Sequence, residues 1–357
     1  MINLNILASP NIQYFGDLHP FRKWRKNIRE AGINVEIYYD HTRKELLSSE
    51  HLLVHHRYFD YGWANALNTA TDANGDFIKF LKHLRSNVGR LIWFDASDSS
   101  GTTQFPVIPH VDVFVKKQVL KDKSYYAGNP NELKNVMVWS NPLANQKTFI
   151  PCAESELNKI RVGWNIAYND YRDFVVHYRL RKLLSHFINY KTYPIKFTPP
   201  STSRCYDITF RGMVNYSSEA VGNQRNKVLE MFTSLPYKLA TGQPIKRSVY
   251  LNELKSSKIS ISPFGLGEVC YRDFETFISG SLLVKPSMDH LEMFPHLFIP
   301  NETYIPVAWD LSDLKETLTK VLDDYNYYQD IANNGQEVYK KTINDPNLFI
   351  NAVRSIL

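Results

Sequence analysis

The chain has 357 residues, 43% hydrophobic and 22% charged, which excludes a disordered polypeptide and exceeds one ordinary core. Its formal charge of +6 is mild for this length. That is not the footprint of a nucleic-acid module, so no nucleic acid is expected as a partner, while an anionic small substrate or an anionic membrane surface is compatible.

Three cysteines, Cys152, Cys205 and Cys270, stand far apart, with no CxxC and no zinc spacing. A reducing setting and no metal site are expected. Aromatic residues reach 13%, which suits carbohydrate faces and nucleobases as well as core filling.

In chain order, "MINLNILASPNIQYFG" has no basic lead, so no signal peptide is expected. No stretch approaches the ~18–20 apolar residues of a membrane span. The expected location is the cytoplasm, with peripheral contact at the inner membrane face left open. "INLNILA" reads as a strand, "HPFRKWRKNIREAG" as a helix stopped by Gly32, and "INVEIYY" as a second strand. "HLLVHHRYF" is strand-like. "DFIKFLKHLRSNVG" is an amphipathic helix on Phe77, Ile78, Phe80, Leu81 and Leu84. "RLIWFDAS" is a strand running into a polar loop. "VDVFVKKQVL" reads as one further strand, and Lys121 to about Glu156 as an irregular excursion. "IRVGWNIAYND" is a strand and "YRDFVVHYRLRKLLSHF" a helix. "NYKTYPIKFTPPSTS" is the best linker.

The alternation then restarts. "CYDITFRGMV", "YKLATG", "ISISPFG" and "SLLVKP" read as strands, with helices in "GNQRNKVLEMFTSL", "SVYLNELKSSK" and "VCYRDFETFISG" between them. "LSDLKETLTKVLDDYNYYQDIANNGQEVYKKTI" closes the chain with one or two helices. No repeat or low-complexity tract interrupts this order. The expected fold is α/β, two Rossmann-like doubly wound domains facing a central cleft. The boundaries expected are 1–190, a linker over 191–204, a second domain over 205–345, and a final helix over 346–357, whose apolar face fits ordinary packing as well as a return to the first domain.

"SPFGLGEVCYRDFETFISGSLLVKP" carries the densest chemistry. Gly265 and Gly267 let a backbone approach a ligand, and the helix start that follows favours an anion. Glu268 either steadies that helix start or faces the ligand. Arg272 and Glu275 lie three apart on one helix face, as a surface ion pair would. The apolar neighbours Phe274, Phe277 and Ile278 bury that helix, and a buried pair is costly without a role.

This stretch resembles the donor-site element of GT-B glycosyltransferases, with the group-1 and exostosin-like pattern of glycine-rich loop, Arg, two residues, Glu, small-residue helix end and apolar strand. The likeness is tight over about 25 residues, looser over the second half and architectural over the first. It implies that Glu275 accepts hydrogen bonds from a donor ribose, with Gly265, Gly267, Glu268 and Arg272 around the nucleotide diphosphate. It also places Arg211 and Gly212, at the end of "DITFRGMV", facing the donor phosphates. Retaining group-1 members set two glutamates eight apart. Here Glu268 and Glu275 are seven apart, so inversion and retention both stay open. No cofactor or metal is implied beyond the nucleotide-sugar itself.

The first domain is then expected to hold the acceptor and any catalytic base. Asp95 and Asp98 end a strand in "WFDASDSSGTTQF", where a carboxylate can take a proton or simply cap a turn. His56, beside His55, is the third candidate; neighbours on a strand point oppositely, so at most one faces the cleft. Weaker candidates are Lys116, Lys117, Lys121 and Lys123 for an anionic acceptor or a lipid-bearing surface, Trp164, Asn165 and Asp170 for the cleft lining, Lys246 and Arg247 for a nucleobase or phosphate, and His290 and Glu292 for the donor sugar. The expected function is transfer of a sugar from a nucleotide-sugar to a glycan or glycolipid hydroxyl in surface-polysaccharide synthesis. A two-domain sugar-binding protein and a nucleotide-sugar epimerase are the competing readings.

Overall fold

The computed structural model describes residues 1–59, 76–128, 150–174, 177–214 and 219–357. Its first sheet is parallel throughout, in the order β2-β1-β3-β4-β5-β7. The strands are β1 (Ile2–Leu7), β2 (Ile33–Tyr38), β3 (His51–His55), β4 (Arg90–Asp95), β5 (Val113–Lys116) and β7 (Ile160–Val162). The second sheet is also parallel, in the order β13-β11-β10-β8-β9. Its strands are β8 (Tyr206–Arg211), β9 (Leu239–Gly242), β10 (Ser257–Ile261), β11 (Leu282–Pro286) and β13 (Ile305–Val307). These are two Rossmann-like halves, the GT-B architecture, with ligands expected beyond the carboxyl ends of the strands.

"VDVFVKKQVL" is not one strand. β5 ends at Lys116, and β6 (Gln118–Leu120) leaves the sheet to pair antiparallel with β12 (Leu291–Met293) of the second half. Leu291 faces Leu120 and Met293 faces Gln118. A bridge between Trp164 and Phe294 extends this backbone contact. The two halves are therefore joined by paired main chain as well as by side chains.

The helices follow their apolar spacing. α1 (His19–Lys23) and α2 (Arg25–Glu30) bury Phe21 and Ile28. α3 (Asp76–Asn87) buries Phe77, Leu81 and Leu84 at i, i+4 and i+7. α4 (Tyr178–Leu184) is much shorter than the helix expected from Tyr171 onward. Arg172 explains part of this: its buried guanidinium donates to Asp170 and to the carbonyls of Ser185 and Ile188, which fixes a non-helical path. Val175 and Val176 of that expected helix lie outside the described residues.

In the second half, α5 (Glu219–Phe232), α6 (Arg247–Lys255) and α7 (Tyr271–Ser279) cover the sheet. α7 stops at Gly280, whose φ of 67° is left-handed. A Cβ there would also stand 2.3 Å from the Thr198 carbonyl, so only glycine fits. α8 (Leu314–Asp323) and α9 (Tyr325–Asn344) follow. α10 (Pro346–Arg354) then returns to the first half. Its Phe349 packs against Phe21, Trp24, Trp164 and Tyr168 with ring centroids 5.0–5.6 Å apart. Arg354 donates to the Ala31 carbonyl. Among the described residues, no helix is long and apolar enough to cross a membrane.

Candidate active site

A cleft of about 910 Å³ lies between the two halves, at the carboxyl ends of both sheets. The first half contributes the turn after β1, Asp98, Lys117 and parts of residues 166–186. The second contributes residues 211–213, 244–250 and 263–275 in part. Among the described lining residues, eight arginines and lysines stand against four carboxylates, so the cleft favours an anion.

Glu275 lies on this wall near the middle of α7. It accepts from Arg247 at 2.8 Å and from the Tyr250 hydroxyl at 3.0 Å. Its ion-pair partner is therefore Arg247 on α6, not Arg272 one turn back along its own helix. Burial pushes the Tyr250 phenol upward, so it stays a hydrogen-bond donor. Arg272 also lines the cleft. It donates to the Arg211 carbonyl at 2.5 Å and lies over the Phe210 ring at 4.9 Å.

Arg211 was expected to face the donor phosphates; it lines the cleft, but the fork that would grip a phosphate is already occupied within the domain, by Glu253 at 2.6 and 2.8 Å. Gly212, Gly265 and Gly267 all line the cleft.

Glu268 corrects a further expectation. It does not face the cleft but is fully buried at the contact between the halves. Its carboxylate accepts from the Ser100 amide at 3.0 Å, the Ser100 hydroxyl at 2.6 Å and the Ser99 hydroxyl at 3.3 Å. Gln118 adds a fourth donor at 3.4 Å. Four donors satisfy the group, which leaves nothing for a nucleotide.

The three candidate bases separate in the same way. Asp95 is buried, with Lys116 at 3.0 Å on one oxygen and the Ser97 amide at 2.9 Å on the other. Burial alone would raise its pKa; Lys116, His56 and Ser97 reverse this and hold it below the ordinary carboxylate range. His56 is buried too. Its Nδ1 accepts from the Ala96 amide at 2.7 Å, and burial keeps the ring neutral. Neither lines the cleft. Asp98 does, and its side chain is 45% exposed.

Lys116 and Lys117 are both buried rather than solvated. They point oppositely, as alternation requires: Lys116 to Asp95, and Lys117 to Asp17 at 3.1 Å and Asp98 at 3.7 Å. His290 packs on Trp309 with centroids 4.4 Å apart, and Glu292 meets Lys123 at 3.8 Å; neither lines the cleft. Trp164 belongs to the aromatic core, Asn165 caps a turn at Ala167, and Asp170 lines the cleft while paired with Arg172.

Sequence reasoning missed Asp17, Tyr250 and His186. Asp17 follows β1 and also binds His55 at 3.2 Å. It lies ten residues beyond the end of β1, inside the 3-10 turn Ile12–Leu18, so the strand-end logic applied to Asp98 does not reach it. His186 packs against Phe15, centroids 5.1 Å apart, both lining the cleft, and burial lowers its pKa to about 4. Its sequence context, "LLSHF", carries no signal beyond a helix end.

No protein-family model matches the chain, and no curated protein is similar to it in sequence. Among solved structures, it is similar to an alpha-glucosyltransferase in complex with UDP-glucose and DNA containing an abasic site, at TM-score 0.47 and 11% identity, covering 99% of each chain. HepE of Anabaena in complex with UDP-glucose is similar at TM-score 0.43 and 9% identity, covering 100% of this chain and 99% of that one. The DNA-modifying enzyme beta-glucosyltransferase is similar at TM-score 0.46 and 10% identity, covering 99% of each.

The expectation that nucleic acid is no partner is corrected, because the alpha-glucosyltransferase structure named first contains DNA. The physical reason is that total charge was the wrong measure. A phosphate backbone responds to charge where it binds, so a mild total is no ground for excluding it.

Proposed function

We propose that the protein is a glycosyltransferase that moves a sugar from a nucleotide-sugar to an acceptor hydroxyl. The observation that carries this is Glu275 in the wall of a net-basic cleft, three residues along α7 from Arg272 and held by Arg247 and Tyr250. An ionised carboxylate offers about four acceptor sites. Two are used, so two remain for a pair of vicinal hydroxyls such as those of a ribose.

The diphosphate then lies beside Arg272 and the backbone of the Gly265–Gly267 loop, where cationic and N–H donors meet the charge that develops on the leaving group. Asp98 faces it from the first half and acts as general base. The acceptor hydroxyl passes its proton to Asp98, its oxygen bonds to the anomeric carbon, and the bond from that carbon to the phosphate oxygen breaks. Asp17 is a poorer base. Burial would raise its pKa, but Lys117 and His55 outweigh burial and hold it well below the ordinary range. The paired main chain of β6 and β12 suits a fixed cleft better than a freely hinged binding protein.

Thermal shift against UDP-, GDP-, dTDP-, ADP- and CMP-sugars, with and without EDTA, tests the reading. A ligand at 100 times its Kd stabilises the native state by about 2.7 kcal/mol. A clear rise with one nucleotide class, unchanged by EDTA, is expected. No rise with any of them removes the proposal. Labelled transfer from the donor so found is then measured to two acceptor classes, a glycan or glycolipid of the surface-polysaccharide kind and a hydroxyl-bearing DNA.

A further inference from the structure

Glu268 is a carboxylate buried completely where the two halves meet. Among the described residues it has no lysine, arginine or histidine within ion-pair distance of its side chain; its donors are two serines and a glutamine. A buried charge satisfied only by neutral donors is an expensive way to hold two domains together, and an apolar contact would hold them as well. What it does differently is fix one short loop. The Ser100 amide and hydroxyl and the Ser99 hydroxyl all belong to the turn that carries Asp98.

Three further contacts grip the same turn. Gln118 Nε2 donates both to Glu268 and to the Asp98 carbonyl. Tyr126 donates from its hydroxyl to the Ser100 carbonyl at 3.1 Å. Gly267, next to Glu268, approaches so closely that a Cβ there would lie 1.7 Å from the Asp98 carbonyl oxygen. Glu268 sits between the glycine loop and Cys270, the residue that caps α7. One end of this segment thus lines the cleft beside Arg272, and its middle is bonded to the Asp98 turn.

We infer that Glu268 is a positioning residue: it couples the loop that meets the donor phosphates to the turn that presents Asp98, so that the base is registered against the donor across the domain boundary. The inference rests on the glycosyltransferase reading. It adds a role that the cleft-facing residues do not have, because Glu268 is buried outside the cleft lining. The charge matters, since a carboxylate can accept from all four donors at once, whereas an amide in its place turns one acceptor into a donor aimed at Ser100 or Gln118.

The experiment uses the full chain and its Glu268→Gln, Glu268→Asp and Ser100→Ala variants. UDP-glucose serves as the probe if uridine nucleotides stabilise the wild type, and otherwise the nucleotide-sugar that does. Binding is measured by calorimetry. Turnover is measured as hydrolysis, in which water replaces the acceptor: its oxygen bonds to the anomeric carbon, one of its protons goes to Asp98, and the bond to the phosphate oxygen breaks, so that the nucleoside diphosphate (the monophosphate for a CMP-sugar) leaves. Hydrogen exchange of the 98–101 amides reports the turn directly.

The expected result is a split. Glu268→Gln and Ser100→Ala keep the donor Kd within about 3-fold, lower kcat by 10-fold or more, and speed exchange at 98–101. Glu268→Asp, which keeps the charge, recovers part of kcat. A chain carrying both Glu268→Gln and Ser100→Ala is no slower than the worse single variant, as for residues acting as a unit. Unchanged kcat and exchange in variants that bind donor like the wild type overturn the inference and leave the transferase reading standing. Equal loss of binding and turnover in the folded Ser100→Ala variant overturns it too. A wild type that binds and hydrolyses no nucleotide-sugar removes the transferase reading itself, and the positioning role falls with it.

Discussion

Arg247 donates to Glu275 over 2.8 Å, tying the first residue of α6 to the cleft face of α7. The Arg247 side chain is half exposed while Glu275 is nearly buried, so the pair stands at the lip of the cleft with its carboxylate turned inward. Hydrogen bonds to a charged group contribute about 1.5–3 kcal/mol each. Removing the carboxylate while the donor still docks should raise the donor Kd by roughly 10–100-fold. Calorimetric titration of Glu275→Ala with the nucleotide-sugar found by thermal shift checks this. A Kd equal to that of the wild type, with the fold intact by circular dichroism, would falsify the ribose assignment.

Asp98 is separable from donor binding. It is the only one of the three base candidates that lines the cleft, and its exposed carboxylate sits 3.7 Å from Lys117. Asp98→Asn keeps the shape and removes the proton acceptor. General-base catalysis contributes about 10²–10⁴-fold, so kcat should fall within that range while the donor Kd changes little. Asp95→Asn makes the contrast. Asp95 and Lys116 are both fully buried and paired at 3.0 Å, and breaking such a pair costs about 3–5 kcal/mol. Urea denaturation should show that loss for Asp95→Asn and almost none for Asp98→Asn. The reverse pattern would exchange their roles.

Two glycines of one loop should answer differently to the same methyl group. At Gly265 an added Cβ meets the Cys270 sulfur at 3.1 Å, the end of a side chain that can give way. At Gly267 it meets the Asp98 carbonyl at 1.7 Å, which is backbone of the other half and cannot yield without moving the domains apart. Overpacking typically costs 1–3 kcal/mol and occasionally more. Gly267→Ala should lie at or above the top of that range by chemical denaturation and should lose turnover. Gly265→Ala should stay folded with donor affinity within a few fold. Similar behaviour of the two variants would mean that the halves do not meet as described.

The fold was legible because both sheets are parallel and buried, so each strand prints an apolar run and each crossover helix a 3.6-residue rhythm. "RLIWFDAS" and "SLLVKP" are such runs, and Phe77, Leu81 and Leu84 are such a rhythm. "VDVFVKKQVL" failed because periodicity gives strand character and not strand partner; nothing local says that Gln118–Leu120 pairs with Leu291–Met293, well over a hundred residues away. The site was legible only in part. Asp98 was singled out by strand-end logic, and Glu275 and Arg272 by their buried helix and the glycosyltransferase resemblance; all three line the cleft. Glu268 misled because a carboxylate near a glycine turn looks alike whether it faces a ligand or a serine turn from another domain. Arg211 misled because its partner, Glu253, lies 42 residues on. Asp17 was missed because a single acid in "YFGDLHP" has no pattern until Lys117 and His55 are brought to it.

Acid should unfold this protein earlier than its carboxylates alone would require. His19 is buried beside Tyr190, and burial, together with the nearby Lys23 and Arg172, lowers its pKa to about 3 despite the opposing pull of Asp170. His55 and His56 are buried and shifted in the same direction, burial again the leading cause. In the unfolded chain each titrates near 6.5. Below that value the unfolded state takes up a proton that the folded state refuses, so stability falls as pH drops from about 6.5 toward 3 and is fully present only above that window. For His19 alone the whole effect is on the order of 3–5 kcal/mol. Urea midpoints at pH 7.5, 6.5, 5.5 and 4.5 should therefore decline stepwise. Asp17 and Asp95 are held low, and their own contributions are lost only at the acid end, below the unfolded carboxylate value near 3.8. His19→Gln removes one titrating group, so its midpoint should decline less steeply between pH 6.5 and 4.5 than the wild type does. Parallel declines for the two proteins would mean that His19 takes its proton as readily in the folded state as in the unfolded one.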